Sequence, residues 1–433
     1  MATKNPLDGV TPEQKPQGAE RHPAQSRILA VLTVSQIFGG VGVGTGIAVG
    51  ALIATNLSGS ETVGGLAQTS AVTGAGVLAV PMARVATRYG RRPALSMAYA
   101  AATVGTVTAA IAVALGWWPL LLAGLFFAGS GSAAGLAARY AATDLSQPGH
   151  TARDLSLVVW ATTVGSIAGP NLAEPADRLG RTLGLAAWVG PYALSAIAFG
   201  ATLLGIIAFL HPDPLRSSSD AKHSAARTSA PSEGPFAGRR GKQGGWEVLL
   251  STPRARLAVA VITVSHVVMV SVMVMTPVHL DHGHASLTIV GVVISLHIAG
   301  MYALSPLPGW LADRFGRIRV LLAGMVLLAS AAALAAVSAP NHVTRLAIAL
   351  FLLGLGWSFG LVAGSALLTE SVSPQRRPAV QGLSDLLMNG TAALGGLIAG
   401  VIVTALSYGA LAIAAMTVVV PMAIVLFLAE RDH

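Results

Sequence analysis

Residues 308–317 read PGWLADRFGR, and residues 81–92 read PMARVATRYGRR. Residues 88–91 (Arg-Tyr-Gly-Arg) align with residues 314–317 (Arg-Phe-Gly-Arg). One copy follows the second hydrophobic segment of the chain and the other follows the eighth, so each lies at the same place in its half. An internal repeat of this kind predicts a fold built from two related helical halves.

The composition around the two copies indicates a membrane protein. Of the 433 residues, 53% are hydrophobic and 10% are charged, and the mean hydropathy is +0.68. A soluble domain has about 25% charged residues, so this chain has too few charges to cover a surface in water. Several segments reach the roughly 20 apolar residues that cross a bilayer, and they lack the alternation of barrel strands, which predicts helices.

We predict an all-α polytopic membrane protein with twelve transmembrane helices in two pseudo-symmetric six-helix bundles. The predicted spans are 28–53, 63–82, 93–115, 119–141, 155–173, 185–210, 255–280, 287–308, 319–339, 345–369, 380–404 and 407–429. They form an N-terminal bundle (28–210) and a C-terminal bundle (253–429). Residues 211–252 are rich in Ser, Gly, Pro, Arg and Lys, and we expect a disordered cytoplasmic linker there, or a regulatory segment.

The distribution of basic residues predicts the orientation. If the N-terminus is cytoplasmic, all but three of the 27 Lys and Arg residues fall on the cytoplasmic side. The exceptions are Arg178, Arg181 and Arg345. Because cytoplasmic loops carry an excess of Lys and Arg, we expect a multi-pass protein of the plasma (inner) membrane. The tail 1–27 and the C-terminal residues 430–433 are then cytoplasmic, and the tail lacks the apolar core of a signal peptide.

The second copy of the repeat has features of a gate. Gly309 and Gly316 permit close helix approach and a tight turn. Asp313 can face a helix N-terminus or pair with Arg317. A charged latch of this kind can hold a gate in one state and release it in another.

The doubled motif, the twelve spans and the central linker resemble the major facilitator superfamily over about residues 28–429. In that family the motif steadies the cytoplasmic gate. The resemblance assigns this role to Gly309, Asp313, Arg314, Gly316 and Arg317, with Arg88, Gly90 and Arg91 from the first copy. The first copy has Ala83 and Thr87 where the family usually has Gly and Asp. We therefore expect a weaker latch there, with arginines that serve mainly as topology anchors.

The fifth span contains a second recognisable motif. Residues 165–171 read GSIAGPN, in which Gly165 and Gly169 form a face of small residues for close helix packing. Pro170 bends the helix, and Asn171 follows it. The segment resembles the motif of drug–proton antiporters within the superfamily, which implies export. The alternative is an ordinary packing and kink site.

The fourth span departs from the antiporter pattern. Those proteins usually carry an arginine a few residues before a glycine, where this chain has Leu125. Arg139 lies near the predicted cytoplasmic end instead. This departure argues against proton coupling through an arginine at the position of Leu125.

Polar side chains are costly at membrane depth, so those within the spans are candidate functional residues. In span 11, Gln381, Asp385 and Asn389 are spaced by four and share one helix face. Asp385 can titrate during transport or pair with the motif arginines. The candidates for lining a central cavity are Gln36, Asn56, Thr163 and Asn389.

Five of the eleven histidines fall between positions 266 and 297. One interpretation is a solvated outer loop with two hydrogen-bonded core histidines. A second is a proton-coupling path, because histidine titrates near neutral pH; its candidates are His266, His297, Asp281 and Asp385. A third is a metal site at the outer end, formed by His279, Asp281, His282 and His284.

Nothing in the sequence predicts an enzyme. The chain lacks a phosphate-binding Gly-Lys-Ser/Thr loop and a nucleophile elbow, so we expect no cofactor. The basic linker lacks interleaved aromatics, so no nucleic-acid partner is expected. We predict a secondary active transporter, a monomer as is usual in the family, whose partners are a small-molecule substrate, protons and membrane lipid. It would export a small, largely apolar compound or drug by proton-coupled alternating access. The alternatives are a metal or metal-chelate exporter that uses the histidine patch and a non-transporting membrane sensor.

Overall fold

The computed structural model describes residues 23–147, 149–218, 245–284 and 287–431. This part of the chain is helical apart from short connections and contains no strand. Twelve helices within it are long and apolar enough to cross a membrane, which confirms the predicted fold class. We number them spans 1 to 12 in chain order: Gln25–Ser58, Leu66–Tyr89, Arg91–Leu115, Trp118–Ala141, Thr151–Thr182, Val189–Ser218, Pro253–Leu280, Val292–Phe315, Arg317–Ala336, Val343–Ser371, Arg377–Ala405 and Tyr408–Arg431.

Two spans are not single regular α-helices. Span 4 consists of the helices Trp118–Ala128 and Ser130–Ala141, which meet at Gly129. Span 8 contains a π-helical segment, Ala299–Ala303, between the helices Leu287–Ile298 and Pro306–Phe315. Irregular helical segments of this kind occur frequently at functional sites. The α-helices of spans 2, 6 and 7 are Glu61–Tyr89, Val189–Phe209 and Pro253–Asp281.

The gate motif differs from the expected loop between two spans. Its residues continue the helix of span 8 as far as Phe315, and only Gly316 makes the turn. The same turn lies at Gly90 in the first half, and the two glycines have φ values of 95° and 99°. Because side chains disfavour positive φ, glycine is needed at both turns.

The ends of the predicted linker are helical. Residues 214–218, at the end of span 6, form a helical turn after the α-helix Val189–Phe209, and a short helix, Gly245–Ser251, precedes span 7. Val248 and Leu249 of the short helix are buried, whereas Trp246 is exposed. Residues 219–244 of the linker, the tail 1–22 and residues 432–433 lie outside the described part of the chain.

Glycine contacts hold spans 1 and 5 close together within the first half. A Cβ atom at Gly165 would lie 2.6 Å from the Cα atom of Gly40, and one at Gly169 would lie 2.9 Å from the Cα atom of Gly44. The Thr45 hydroxyl donates a hydrogen bond of 3.0 Å to the Gly169 carbonyl. Close backbone approach of this kind stabilises helix pairs where lipid provides no hydrophobic drive.

Spans 1–6 and 7–12 form two bundles, which meet where span 2 packs along span 11 and span 5 packs along span 8. We call the end that carries the Gly90 and Gly316 turns the motif end, and the opposite end the distal end. Near the motif end Gly382 of span 11 packs directly on Ala83 of span 2. Farther along span 11, a Cβ atom at Gly396 would have no atom within 4 Å. The halves are therefore tightly joined at the motif end.

Candidate functional site

The carboxylate of Asp313 joins the two halves at the motif end. It accepts hydrogen bonds from the backbone N–H groups of Ala152 (3.1 Å) and Arg153 (2.7 Å), in the first turn of span 5. It also pairs with Arg317 at 2.7 Å. Unpaired N–H groups and the helix dipole favour negative charge at a helix N-terminus. Asp313 thus makes both of the contacts considered from the sequence, and its role as a gate stays a prediction.

Span 8 approaches span 5 closely beside this carboxylate. Gly309 lies against Ser156, and any Cβ atom at position 309 would overlap the serine side chain. The Ser305 hydroxyl donates a hydrogen bond of 3.2 Å to the Ser156 carbonyl. Ser156 is therefore covered by the other half and is only 1% exposed.

The two halves share a repeated ion pair at the motif end. Arg317 binds Glu370 at 2.7 Å, and Arg91 binds Asp144 at 2.8 Å. The partners are 53 positions apart in both cases, and Arg91 and Arg317 occupy the same place in the repeat. The repeat therefore includes the acid as well as the arginine. The copies differ in burial, because the Asp144 side chain is inaccessible and the Glu370 side chain is 38% exposed.

Arg91 belongs to the interface between the halves, which corrects the expectation that it is mainly a topology anchor. Its guanidinium also donates a hydrogen bond of 2.5 Å to Gln381 of span 11. Arg377 of span 11 approaches Asp144 at 3.7 Å. The Thr87 hydroxyl, at the position of Asp313 in the repeat, bonds only the carbonyl of Ala83 in its own helix. Asp144 thus provides the cross-half carboxylate that the first copy lacks.

Arg88, a predicted anchor, and Arg314, a predicted gate residue, have similar surroundings. Both are exposed, and each guanidinium lies over a neighbouring aromatic ring: Tyr89 at 5.2 Å for Arg88 and Trp310 at 5.5 Å for Arg314. Such side chains can lie at a membrane surface with their charge in water. Neither contacts the opposite half in the described structure.

Among the described residues, the most deeply buried ion pair between the halves is that of Arg139 and Asp385. The nitrogen–oxygen distance is 2.7 Å, and the two side chains are 1% and 4% exposed. Arg139 also donates hydrogen bonds of 3.1 Å to the Ser365 and Tyr140 hydroxyls. Asp385 was expected to titrate or to pair with motif arginines, but its partner is the fourth-span arginine that sequence analysis had set aside. One guanidinium nitrogen of Arg139 (Nη1) has no hydrogen-bond partner.

A central cavity of about 330 Å³ lies between the halves. Its wall is mostly Gly, Ala, Val and Leu, among them Leu125 of span 4. No Asp, Glu, Lys or Arg is among the described residues that line it. The aromatic and polar side chains of the wall are Gln68, Thr106, Ser132, Tyr192, Phe199, His266, Tyr302 and Asn389.

The cavity and the buried ion pair are connected through span 11. Asn389 lines the cavity as predicted, and its side-chain N–H donates a hydrogen bond of 2.8 Å to the Asp385 carbonyl, one turn earlier. Asp385 itself lies eight residues into span 11, roughly 12 Å along the helix from its start. A change in the Arg139–Asp385 pair can therefore move the helix that forms part of the cavity wall.

The two mid-span histidines have different surroundings. His266 lines the cavity, and its Nδ1 accepts a hydrogen bond of 2.8 Å from the Trp357 indole N–H. His297 is fully buried, and its Nδ1 lies 2.8 Å from the Leu350 carbonyl within the second half. His297 therefore does not join His266 on the cavity wall.

Three predicted cavity residues do not line this cavity. Gln36 is buried against span 5, where it donates a hydrogen bond of 3.0 Å to the Thr162 hydroxyl. Thr163 is buried in the same region, and Asn56 is exposed near the distal end. The face of span 1 that meets the cavity carries Gly46 and Gly50 instead. Sequence spacing shows which residues share a face, but the rotation of the helix in the bundle depends on tertiary packing.

The antiporter-like motif occupies the contact between spans 1 and 5. Gly165 and Gly169 make the glycine contacts described above, and Pro170 lies inside the helix Thr151–Thr182. Asn171 is exposed and its side chain bonds the Ile167 carbonyl in its own helix. These contacts are structural, and the implied link to export stays a prediction.

The histidine patch at the distal end offers no metal site in the described part of the chain. His279 is engaged with the Ser338 carbonyl at 3.0 Å and stacks on the Tyr408 ring at 4.2 Å. His282 and His284 are exposed, and the Asp281 side chain lies outside the described structure. No group of three or more His, Cys, Asp or Glu side chains that could hold a metal ion occurs among the described residues.

The sequence did not identify Asp144, Glu370 and Ser365, and it pointed away from Arg139. Asp144 and Glu370 could have been found from the repeat, because each follows its motif arginine by the same interval. Arg139 and Ser365 carried no such signal. Their importance depends on the packing of two distant helices.

The chain forms two bundles of six helices that are joined at one end around a central cavity. This architecture is that of a membrane transporter rather than of an enzyme. The sequence profile of the Major Facilitator Superfamily matches residues 31–289 and 271–433. The chain belongs to this superfamily and is a multi-pass membrane protein.

Known proteins resemble the chain over most of its length. It is 36% identical over 390 residues to the uncharacterized MFS-type transporter YdeG of Bacillus subtilis, covering 89% of this chain and 88% of that protein. It is 28% identical to the riboflavin transporter RfnT of Brucella anthropi, covering 87% and 89% of the two chains. The crystal structure of the human organic anion transporter MFSD10 superposes with a TM-score of 0.71 at 16% identity, covering 94% and 100%, which shows a shared fold.

Proposed function

We propose that this protein is a proton-coupled secondary transporter that exports a small, uncharged, largely apolar compound across the plasma membrane. The observation that carries the proposal is an uncharged cavity beside the buried Arg139–Asp385 pair, which links the two halves. We take the motif end, with both termini, as cytoplasmic, in line with the basic residues. Each chain contains its own cavity, so we expect a monomer to suffice.

Access alternates in this proposal because the halves tip about the cavity. The contacts at Asp313, Asp144 and Arg139 hold the cytoplasmic end closed in the described state. At Gly396 and Gly400, near the distal end of span 11, an added Cβ atom would meet no atom within 4 Å. An inward-facing state then requires these three contacts to separate.

Asp385 provides the coupling. A proton that reaches its carboxylate removes the negative charge that stabilises buried Arg139, and the cytoplasmic end opens. Release of the proton to the cytoplasm and entry of the compound allow the pair to form again as the cytoplasmic end closes. Each cycle therefore moves a proton inward and the compound outward.

The composition of the cavity favours an uncharged compound. A charged ligand would be buried without an opposite charge among the described lining residues, which is unfavourable. The partly exposed ring of Tyr302 offers contact area for an apolar or aromatic group. The likeness to a riboflavin transporter supports riboflavin as one compound to test.

Flux measurements in proteoliposomes test the proposal. Riboflavin and a panel of uncharged aromatic drugs would be followed with and without an imposed pH gradient. We expect Asp385→Asn to abolish gradient-driven flux and to spare binding of the compound, while Glu174→Gln, an exposed acid in span 5, retains wild-type flux. Absence of flux for every compound would favour a sensor. Gradient-driven flux in Asp385→Asn would exclude Asp385 from coupling.

A further inference from the structure

One hydrogen bond fixes the proton on the cavity histidine. The Trp357 indole nitrogen can only donate, so Nδ1 of His266 must be the acceptor in their 2.8 Å contact. A neutral imidazole carries a single proton, which is therefore on Nε2. Nε2 has no partner within the described chain, and His266 lines the cavity. The cavity wall thus presents an N–H donor with a fixed tautomer.

Two more polar atoms at this wall have no partner. The Tyr192 hydroxyl is fully buried and makes no hydrogen bond in the described structure. The Asn389 amide uses its N–H to bond the Asp385 carbonyl, so its oxygen faces the other way and is free to accept. Of these two atoms, the Tyr192 hydroxyl is buried without a partner, which is uncommon in folded proteins.

Aromatic rings surround these polar atoms. Tyr192 and Phe199 lie on the wall in the first half, and Tyr302 lies on it in the second. Tyr302 is held edge-to-face against Trp357, with ring centres 5.5 Å apart, so the residue that orients His266 also orients Tyr302. Tyr302 is partly exposed, whereas Tyr192 and Phe199 are 0% and 1% exposed. The accessible aromatic face of the cavity therefore belongs to Tyr302, and it favours an aromatic ligand.

We infer that the cavity binds an uncharged, planar heteroaromatic compound that accepts a hydrogen bond from His266. That such a compound is the transported substrate rests on the proposed function. A ring carbonyl or ring nitrogen would serve as the acceptor, and a ring N–H would match the free oxygen of Asn389. A hydrocarbon of the same shape would leave these groups unpaired, and a cation would have no counter-charge on the wall.

Three tricyclic probes of nearly the same shape separate these features. Acridone is uncharged and has a carbonyl and an N–H, anthracene has neither, and 9-aminoacridine is a cation at neutral pH. Equilibrium dialysis against the protein in lipid nanodiscs would measure binding, with empty nanodiscs subtracted for partition into lipid. We expect acridone to bind at least about tenfold more tightly than either of the others.

Variants test the assignment to His266. We expect Trp357→Phe, which removes the indole N–H but retains an aromatic ring, to weaken acridone binding about tenfold and to leave anthracene unchanged. His266→Leu should do the same, whereas His266→Gln keeps a donor near the Nε2 position and should retain most of the affinity. Trp310→Phe, an exposed tryptophan outside the cavity, is the matched control.

Each outcome decides the inference. It is overturned if anthracene or 9-aminoacridine binds as tightly as acridone, if Trp357→Phe and His266→Leu bind acridone normally, or if no probe binds. Binding is measured without a gradient, so the proposed transport can fail while these results hold. Conversely, flux of a different class of compound would preserve the transport function and remove this substrate class.

Discussion

Removal of the Asp385 carboxylate should open the motif end. Asp385→Ala would leave the Arg139 guanidinium, which is 1% exposed, without its counter-charge in the closed state. Breaking a buried pair by removing one partner costs about 3–5 kcal/mol. At about 1.4 kcal/mol per tenfold, the ratio of open to closed molecules should rise roughly 140-fold to 3700-fold. A double variant that also lacks the Arg139 guanidinium should regain part of the closed population, since no charge is then buried without a partner.

The absence of cysteine makes a direct assay possible. Ser156→Cys places a thiol under Gly309 between the halves, and its alkylation by N-ethylmaleimide reports opening of the motif end. Ser195→Cys, buried inside the first half, reports unfolding instead, and exposed Ser251→Cys gives the unprotected rate. We expect Asp385→Ala to accelerate labelling only at position 156.

Two results would refute this reasoning. Labelling at position 156 that proceeds at the wild-type rate in Asp385→Ala would show that the ion pair does not hold the closed state. Equal acceleration at positions 156 and 195 would show general unfolding rather than separation of the halves.

Three further predictions follow from burial and packing. Asp144→Asn should lower the free energy of unfolding by about 3–5 kcal/mol, because the Asp144 side chain is inaccessible. Glu370→Gln should lower it by less than about 1 kcal/mol, because the Glu370 side chain is partly exposed. Equal losses in denaturant titrations would contradict this. Gly165→Val should lower the melting temperature, because the larger side chain forces spans 1 and 5 apart. Gly205→Ala should leave it unchanged, because the space around Gly205 is open. An unchanged melting temperature in Gly165→Val would disprove the close contact. Asp313→Asn should raise the labelling rate of Ser156→Cys about tenfold or more, because the N-terminus of span 5 loses the negative charge that it binds. An unchanged rate would show that Asp313 is not part of the gate.

Much of the fold follows from features that survive in a single sequence. Hydrophobic length predicts the spans, because a helix must satisfy its own backbone groups in lipid. The repeated motif predicts two related halves and also the contacts of Asp313, because its partners are a helix N-terminus and a residue one turn away. Local spacing is sufficient for such contacts.

The interior contacts between halves could not be predicted in the same way. Arg139 and Asp385 are 246 positions apart, and their pairing depends on the rotation and depth of spans 4 and 11. Arg139 was interpreted as an end residue because it precedes the end of its span by two positions. The prediction that Gln36 lines the cavity was wrong for a related reason. Gln36 lies on the face of span 1 that meets span 5 rather than on the face that meets the cavity.

The central claim is that two halves tip about one cavity under the control of Asp385. Spin labels can be attached at Tyr89→Cys and Phe315→Cys at the motif end, and at Leu183→Cys and Leu406→Cys at the distal end, all exposed positions. Double electron–electron resonance in nanodiscs would then measure the distance between the two labels at each end as the pH is lowered. We predict that the motif-end distance lengthens while the distal distance shortens, and that Asp385→Asn holds the motif end open at every pH. Distances that change in the same direction, or a pH response that persists in Asp385→Asn, would contradict the account.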